Sequence, residues 1–282
     1  MKTTLNLQGR LVSIDKPLIM GILNLTDDSF YDGGKYNTID SAIIRAEEIL
    51  EEGGDIIDIG ACSTRPGAIL VPKEEEIERI IPVLREIRKR FPNAIISIDT
   101  VWAEVVKQTI DNGANIINDI SGGQFDQELF KQVALSKAPY VLMHTPSTPD
   151  IMQKNTTYEN LYLDICKYFS QKINLLKQEG VMDIILDLGF GFGKTIEQNY
   201  ELMRRMDEFM VFEMPILTGI SRKSMIYKAL KITVEESLNS TTALNTIALE
   251  KGTKILRVHD VKEAVQTRDI IELVKGNIQT KI

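Results

Sequence analysis

Residues 94–120 read AIISIDTVWAEVVKQTIDNGANIINDI and contain the order strand, helix, strand. Residues 94–98 form an almost entirely apolar run without alternation, which is typical of a parallel strand buried on both faces. Thr100 can cap the N-terminus of a helix over residues 101–113, and Gly113 at the end of that segment is a helix stop signal. A second apolar run follows at residues 115–117. The stretch therefore predicts one βα repeat of a parallel sheet.

The same alternation continues in both directions along the chain. Six more strands are predicted over residues 18–23, 55–59, 140–143, 184–186, 215–218 and 254–258, and seven more helices over residues 41–54, 73–90, 126–136, 158–179, 196–208, 234–251 and 260–275. At about 30–40 residues per repeat, this pattern favours an α/β fold of the (β/α)8 TIM-barrel type over a doubly wound open sheet. Residues 4–15 alternate around Gln8 and Gly9, which predicts a short N-terminal β-hairpin that caps the N-terminal end of the barrel.

The composition is typical of a soluble globular protein, with 43% apolar and 26% charged residues among 282. No composition shift or linker divides the sequence, so residues 1–282 are predicted to form a single domain. No apolar run of about 18 residues predicts a membrane span. Residues 1–10 lack the apolar region of a secretory signal, so we expect a cytoplasmic protein that does not associate with membranes.

The charge and cysteine content exclude further classes of function. The net charge of −7 argues against nucleic acid as a partner, because nucleic-acid binding needs a basic field. A local basic pocket for a small anion is still compatible with that charge. The two cysteines, Cys62 and Cys166, are too few for a disulfide framework and have no partner at metal-ligand spacing.

Every predicted barrel strand is followed by a polar or ionisable residue. In a (β/α)8 barrel these positions meet at the C-terminal face, where barrel enzymes have their active sites. A single Asp or Asn at such a position is often only the N-cap of the next helix, but eight such ends indicate a functional face. In strand order the residues are Asn24; Ser63, Thr64 and Arg65; Asp99; Asn118 and Asp119; His144; Asp187; Arg222, Lys223 and Ser224; and Arg257, His259 and Asp260.

The types of residue in this set predict the kind of ligand. Buried carboxylates such as Asp99 and Asp187 suit an amino-substituted heterocycle or a positive charge that develops in a reaction. Convergent cations beside glycine-rich or serine-rich turns predict a site for a diphosphate or similar anion. The cations of the set are Arg65, Arg222, Lys223, Arg257 and His259. We therefore expect a ligand with an NH-rich or cationic ring at one end and an anionic group at the other.

The glycine-rich segment GFGFGKT at residues 189–195 matches neither common nucleotide-binding motif. Leu188 stands where a P-loop needs glycine, and Lys194 stands where the dinucleotide fingerprint needs glycine. The segment is thus a loop whose backbone can approach a ligand closely. Its two aromatic residues, Phe190 and Phe192, either cover a flat ring or pack beneath the loop.

The metal-binding potential of His144 is open at this stage. A lone histidine after a strand is either a metal ligand or a structural residue, and the sequence alone allows both. Zinc is not expected, because no second histidine or cysteine cluster stands at zinc-ligand spacing. Mg²⁺ is the better candidate, held by oxygen ligands such as Asn24 and by a substrate phosphate.

Eight motifs, in chain order from about residue 17 to 272, resemble those of the dihydropteroate synthases. They are MGILNLTDDSFYDGG (20–34), DIGACSTRPGA (58–68), SIDT (97–100), IINDISGG (116–123), LMH (142–144), DLGFGFGK (187–194), TGISRKS (218–224) and ILRVHDVKE (255–263). Each motif alone is modest, but eight of them at successive strand ends form a specific pattern.

The resemblance implies a (β/α)8 barrel enzyme of folate synthesis that is usually a homodimer. Such an enzyme is a transferase. It condenses 7,8-dihydropterin-6-ylmethyl diphosphate with p-aminobenzoate in the presence of Mg²⁺, and it releases 7,8-dihydropteroate and diphosphate by an SN1-like mechanism. Sulfonamides compete with p-aminobenzoate in this family.

The resemblance also implies a role for individual residues. It assigns catalytic roles to Asp99, Lys223 and Arg257. The implied pterin pocket contains Asp99, Asn118, Met143, Asp187, Gly219 and Lys223, and the implied diphosphate contacts are Asn24, Thr64, Arg257 and His259, with Asn24 also a magnesium ligand. The implied p-aminobenzoate side contains Phe30, Ser63, Arg65, Pro66, Phe192 and Ser224.

Two other functions are compatible with a pterin-binding barrel. A methyltransferase that uses methyltetrahydrofolate would share the pterin pocket, but it has no use for the STRPG and SRKS segments that are present here. A catalytically silent paralogue would bind pterin and act on a partner. The presence of Asp99, Lys223 and Arg257 argues against this second alternative.

Overall fold

Eight parallel strands close into a barrel in the computed structural model, which describes residues 3–25, 35–61, 70–146 and 156–277. An antiparallel hairpin of β1 (Thr4–Leu7) and β2 (Arg10–Ser13) precedes the barrel. The barrel strands are β3 (Leu18–Asn24), β4 (Ile56–Gly60), β5 (Ile95–Asp99), β6 (Ile116–Asp119), β7 (Tyr140–Met143), β8 (Ile184–Asp187), β9 (Ile216–Thr218) and β10 (Ile255–Val258). Neighbours in the barrel follow chain order, and β10 closes it against β3. The predicted (β/α)8 barrel with an N-terminal hairpin is confirmed.

Helices surround the barrel and connect consecutive strands. They are α1 (Lys35–Glu51), α2 (Lys73–Arg90), α3 (Ala103–Asp111), α4 (Leu129–Ser136), α5 (Leu161–Glu179), α6 (Ile196–Arg205), α7 (Ser224–Leu230), α8 (Leu238–Glu250) and α9 (Val261–Val274). Short 3-10 helices at Met206–Phe212 and Glu235–Ser237 extend two of the connections. Within the described ranges, no helix is both long and apolar enough to cross a membrane.

Several helix starts differ from the sequence prediction, and α4, α5 and α8 begin three or four residues later than predicted, at Leu129, Leu161 and Leu238. Helix α1 begins at Lys35 and not at residue 41, and the seven-residue α7 was not predicted at all. Thr100 does not cap α3, because that helix begins two residues later than predicted, after an N-cap at Trp102. The first amide of α3, from Ala103, instead donates a hydrogen bond of 2.9 Å to Asp126 Oδ2 on the next connection.

The hairpin closes the N-terminal end of the barrel. Gln8 and Gly9 in its turn both have positive φ, as a two-residue hairpin turn requires. Leu5, Leu7 and Ile14 pack with the first inward-facing residues of the barrel strands in one buried apolar cluster. Because this end is filled with apolar side chains, only the C-terminal end is left for polar chemistry.

Candidate active site

A buried hydrogen-bonded network of four polar side chains lies at the C-terminal end of the barrel. Arg257 on β10 donates from Nε to Asp58 Oδ2 at 2.6 Å and from Nη2 to Asp99 Oδ2 at 2.8 Å. Asn118 on β6 donates from Nδ2 to the same Asp58 oxygen at 3.2 Å. Strands β4, β5 and β6 are hydrogen-bonded neighbours, which is why their inward-facing side chains meet. Closure of the barrel brings Arg257 to them from the far end of the chain.

The charges in this network perturb one another because they are removed from water. Burial raises the pKa of Asp99 to about 7, the Arg257 guanidinium opposes this rise, and the carboxylates of Asp58, Asp119 and Asp187 add to it. Burial alone would lower the pKa of Arg257, but Asp58 and Asp99 together raise it above its usual range. Arg257 is therefore a permanent cation. Asp99 is a carboxylate whose ionisation depends on its neighbours.

A second group surrounds Lys223, at the start of α7. Its Nζ donates to the carbonyl oxygen of Phe190 at 2.6 Å and lies 4.7 Å from the centre of the Phe192 ring. Burial lowers the pKa of Lys223 to about 8, while Asp187 acts in the opposite direction. Burial also raises the pKa of Asp187, and Asp187 Oδ1 accepts a hydrogen bond from the Gly189 amide at 2.8 Å. Lysine and carboxylate thus partly neutralise each other in the barrel mouth.

The two phenylalanines of the glycine-rich loop have different environments. Phe190 is fully buried in the main apolar core between the strands and the helices. Phe192 packs with Val101, Ile120 and Met143 in a smaller apolar cluster. Of the two interpretations left open by the sequence, packing beneath the loop fits Phe190, whereas for Phe192, which lies beside Lys223, covering a flat ring stays a prediction.

The third group joins the ends of β9 and β10. The His259 amide donates to Ser221 Oγ at 3.2 Å, and its ring Nδ1 lies 3.0 Å from the same oxygen. Burial, together with the charge of Arg257, lowers the pKa of His259 to about 4. This low pKa favours a neutral His259 ring near pH 7, whereas the sequence predicts a cation at this position. Arg222 is also engaged, in two hydrogen bonds to Asp260 at 2.7 and 3.0 Å.

The other predicted site residues are distributed around these groups. Met143 ends β7 in a buried position, and Ser224 is the first residue of α7. Gly219 follows β9 between Arg257 and Lys223, since a Cβ built on it would lie 3.7 Å from Arg257 Cβ. Asn24 ends β3 with an exposed side chain. Five predicted residues lie outside the described part of the chain: Phe30, Ser63, Thr64, Arg65 and Pro66.

The surroundings of His144 favour the structural interpretation of this residue. Its Nδ1 lies 3.0 Å from Lys194 Nζ, and its ring packs edge-on against Tyr168 with the ring centres 4.9 Å apart. Burial and the Lys194 charge lower the pKa of His144 well below its usual range. Among the described residues, no group of three His, Cys, Asp or Glu side chains could hold a metal ion.

Sequence reasoning missed two members of the site. Asp58 accepts two hydrogen bonds in the central network and is fully buried. The available signal was a charged residue inside a strand that is otherwise buried on both faces. Lys194 is also buried, and its ammonium lies inside the glycine-rich loop. The sequence pattern gave no indication of that position.

Comparison with known proteins identifies the family of the chain. The model of the family described as "Pterin binding enzyme" matches residues 20–259. The chain is 45% identical over 263 residues to the dihydropteroate synthase of Clostridium beijerinckii, a match that covers 91% of this chain and 95% of that protein. The crystal structure of Yersinia pestis dihydropteroate synthase with a sulfonamide drug complex has a TM-score of 0.91 and 38% identity, with coverage of 97% of this chain and 99% of that one.

A second solved structure gives the same result. Xanthomonas albilineans dihydropteroate synthase with 4-aminobenzoic acid has a TM-score of 0.90 and 32% identity, and covers 98% of this chain and 99% of that one. The family model and the aligned relatives each cover most of this chain. The chain belongs to the dihydropteroate synthase family of pterin-binding enzymes.

Proposed function

We propose that this chain is an active dihydropteroate synthase that joins 7,8-dihydropterin-6-ylmethyl diphosphate to p-aminobenzoate. The observation that carries the proposal is the buried network in which one guanidinium, Arg257, is held by Asp58 and Asp99 at the barrel mouth. It offers a fixed cation for a leaving diphosphate beside a carboxylate for a cationic pterin. A transferase of this class needs both groups within reach of one methylene carbon.

The pterin ring would bind in the interior of the barrel mouth. Carboxylates at Asp99 and Asp187 suit the ring NH and amino donors, and the amide of Asn118 and the ammonium of Lys223 suit the ring acceptors. Burial of these groups strengthens each hydrogen bond because water does not compete for it. The proposed pocket consists of Asp99, Asn118, Met143, Asp187, Gly219 and Lys223.

The diphosphate would lie toward the rim. Arg257 has five N–H donors, of which two bind carboxylates in the described structure, so the guanidinium can also face an anion. His259 would donate a hydrogen bond from its neutral ring. Asn24 and Thr64 complete the proposed diphosphate contacts.

The reaction would begin with loss of the leaving group. The carbon–oxygen bond of the pterin methylene breaks, and its electron pair leaves on the diphosphate, which Arg257 neutralises. Asp99 and the electron-rich ring stabilise the cationic methylene that remains. The amino nitrogen of p-aminobenzoate then donates its lone pair to the methylene carbon and releases a proton. Asp99, Lys223 and Arg257 are the proposed catalytic residues.

The p-aminobenzoate is proposed to enter beside Phe192 and Ser224. The Phe192 ring covers the Lys223 ammonium, and Ser224 follows Lys223 directly at the start of α7. The relative from Xanthomonas albilineans carries 4-aminobenzoic acid, which supports the same ligand here. Phe30, Ser63, Arg65 and Pro66 are proposed to complete this side, where sulfonamides would compete.

A magnesium ion is proposed to accompany the diphosphate. The donor chemistry fits, because Asn24 has a hard amide oxygen at the rim and Mg²⁺ usually combines one or two protein oxygens with substrate phosphates and water. Bound there, the ion would neutralise charge that develops on the leaving diphosphate. The protein contributes Asn24 to hold it.

A cytoplasmic homodimer is the proposed form of the enzyme. Helices α8 and α9 expose Ile247, Ile270 and Val274, with Ile270 60% and Val274 77% exposed. The C-terminal ends of these helices are adjacent, since Lys275 Nζ donates to the Leu249 carbonyl at 3.3 Å. Light scattering coupled to size exclusion tests the proposal: a mass of two chains is expected, and a stable single chain would contradict it.

The catalytic proposal is tested by comparing binding with turnover. Isothermal titration with 7,8-dihydropterin-6-ylmethyl diphosphate, followed by addition of p-aminobenzoate and chromatography, separates the two steps. We expect binding and a dihydropteroate peak that grows with enzyme concentration. Binding without any product would identify the silent paralogue and refute the proposed activity.

A further inference from the structure

Lys194 is a buried lysine that the reaction described above does not use. Its side chain is 4% exposed, and its Nζ has three hydrogen-bond acceptors: His144 Nδ1 at 3.0 Å, the Gly189 carbonyl at 2.9 Å and the Phe192 carbonyl at 3.1 Å. An ammonium has three N–H donors and no acceptor, so these three oxygen and nitrogen atoms match it completely. A buried charge is expensive, and complete hydrogen bonding is what makes it tolerable.

The acceptor on the far side of Lys194 is itself fixed. The His144 ring packs edge-on against Tyr168, and the Tyr168 hydroxyl donates to the Met143 carbonyl at 2.8 Å. When Lys194 is protonated it can only donate, so Nδ1 of His144 then accepts and the ring proton resides on Nε2. His144 therefore provides a rigid support behind the ammonium.

The glycine-rich loop is wrapped around this ammonium. The carbonyls of Gly189 and Phe192 point inward to Lys194, whereas the carbonyl of Phe190 points to Lys223 Nζ at 2.6 Å. Gly189 has φ +69, and a Cβ there would lie 2.0 Å from the His144 carbonyl oxygen, so the loop passes as close to this strand end as backbone allows. The inward carbonyls thus fix the direction of the outward one.

We propose that Lys194 is a positioning residue, which holds the 189–193 loop so that the Phe190 carbonyl and the Phe192 ring fix the ammonium of Lys223 in the pterin pocket. This inference rests on the proposed function of Lys223. Burial lowers the pKa of Lys194 to about 7, and the Asp187 carboxylate opposes the change, which places Lys194 electrostatically beside the same pocket. Lys194 contacts the loop and not the substrate.

The first test compares Lys194→Met with a matched control. Arg268 is another buried cation, 5% exposed and paired with Asp55 on the opposite side of the barrel, so Arg268→Met removes a comparable buried charge without contact to the loop. We expect Lys194→Met to raise KM for the pterin diphosphate about tenfold with a change in kcat of less than about threefold. Arg268→Met should lower the thermal midpoint and leave KM unchanged. Equal KM in both variants would overturn the proposal.

The second test asks whether Lys194 acts through Lys223. If it does, Lys194→Met should have no further effect on KM in a Lys223→Gln background, because the positioned group is already gone. A merely structural role predicts that the two effects on KM multiply. Multiplying effects would therefore refute the positioning role, while wild-type turnover in the same assay reports separately on the proposed function.

The third test needs no variant, in case Lys194→Met fails to fold. Nitrogen-15 NMR of the unsubstituted protein distinguishes the two histidine tautomers and detects a lysine ammonium whose protons exchange slowly. Below pH 7, where Lys194 is protonated, we expect His144 with its proton on Nε2 and a slowly exchanging ammonium at Lys194. A proton on Nδ1 of His144 would contradict the hydrogen bond from Lys194, whatever the activity of the enzyme.

Discussion

Asp58→Asn keeps the shape of the side chain at the centre of the carboxylate network but removes its charge. In the structure Asp58 Oδ2 accepts hydrogen bonds from Arg257 Nε at 2.6 Å and Asn118 Nδ2 at 3.2 Å. Asp58 Oδ1 is buried and has no hydrogen-bond partner among the described residues. An asparagine that keeps its amide oxygen at the Oδ2 position therefore puts its NH2 group at the position of Oδ1. That NH2 group would have no hydrogen-bond acceptor among the described residues.

The expected loss of stability follows from these two changes. Replacing a charged acceptor by a neutral one weakens the hydrogen bond to Arg257 by about 1 kcal/mol, and a buried unpaired NH2 costs about 1–3 kcal/mol. Together they predict a fall in the free energy of unfolding of about 2–4 kcal/mol. For a chain of this size that is a drop of roughly 3–7 °C in Tm. Urea unfolding followed by circular dichroism measures the loss in the free energy of unfolding.

The same substitution should move the pH dependence of activity. Asp99 must be ionised to stabilise the cationic methylene, so kcat/KM of the unsubstituted enzyme should fall as the pH decreases through about 7. The Asp58 charge is one of the causes that raise the pKa of Asp99. Its removal lowers that pKa, so the acid limb of the profile should shift to lower pH in Asp58→Asn.

Ser97 provides the control. It pairs with Asp58 in the register of β4 and β5, is fully buried and also has an oxygen without a hydrogen-bond partner in the described structure. Ser97→Ala removes no charge, so stability should change by less than about 1 kcal/mol and the acid limb should stay in place. An Asp58→Asn variant as stable as Ser97→Ala, with an unshifted acid limb, would refute the reasoning.

Three further substitutions test the proposed roles in the site. Asp99→Asn should lower kcat by about 10²–10³-fold while the Kd of a plain pterin changes less than about tenfold, because its charge acts mainly in the cationic transition state; equal losses by stopped-flow and calorimetry would contradict that role. Arg257→Ala should weaken a pterin diphosphate at least about 30-fold and a plain pterin little, as measured by calorimetry, and a comparable loss for both would count against a diphosphate contact. Lys223→Gln should raise KM for the pterin substrate about tenfold in steady-state assays. An unchanged KM would remove Lys223 from the pocket.

The barrel itself could be predicted because its signal is local and repeated. Each apolar run without alternation is followed by a helical segment, and eight such repeats leave few alternatives. The errors fall where local signals compete. Thr100 has the right side chain for an N-cap, but Asp126 from the next connection takes the α3 amide. The helix α7 was missed because it has only seven residues and directly follows the serine- and glycine-containing turn after β9.

The location of the candidate site could be predicted from the sequence, but the hydrogen bonds between its residues could not. The polar strand ends identified Asp99, Asn118, Asp187 and Arg257 because barrel topology brings all strand ends to one face. The partners of those groups depend on closure of the barrel, and Asp58 lies 199 residues from Arg257 along the chain. Neutralisation of His259 likewise follows from burial and the neighbouring guanidinium, which no local pattern contains.

The most direct measurement of the central claim follows diphosphate release and dihydropteroate formation together. Purified protein is incubated with 7,8-dihydropterin-6-ylmethyl diphosphate, with and without p-aminobenzoate and Mg²⁺, and both products are quantified over time. We predict equal amounts of diphosphate and dihydropteroate, with dihydropteroate only when p-aminobenzoate is present, and no product from an Asp99→Asn, Arg257→Ala double variant. Tight pterin binding without release of either product would contradict this prediction.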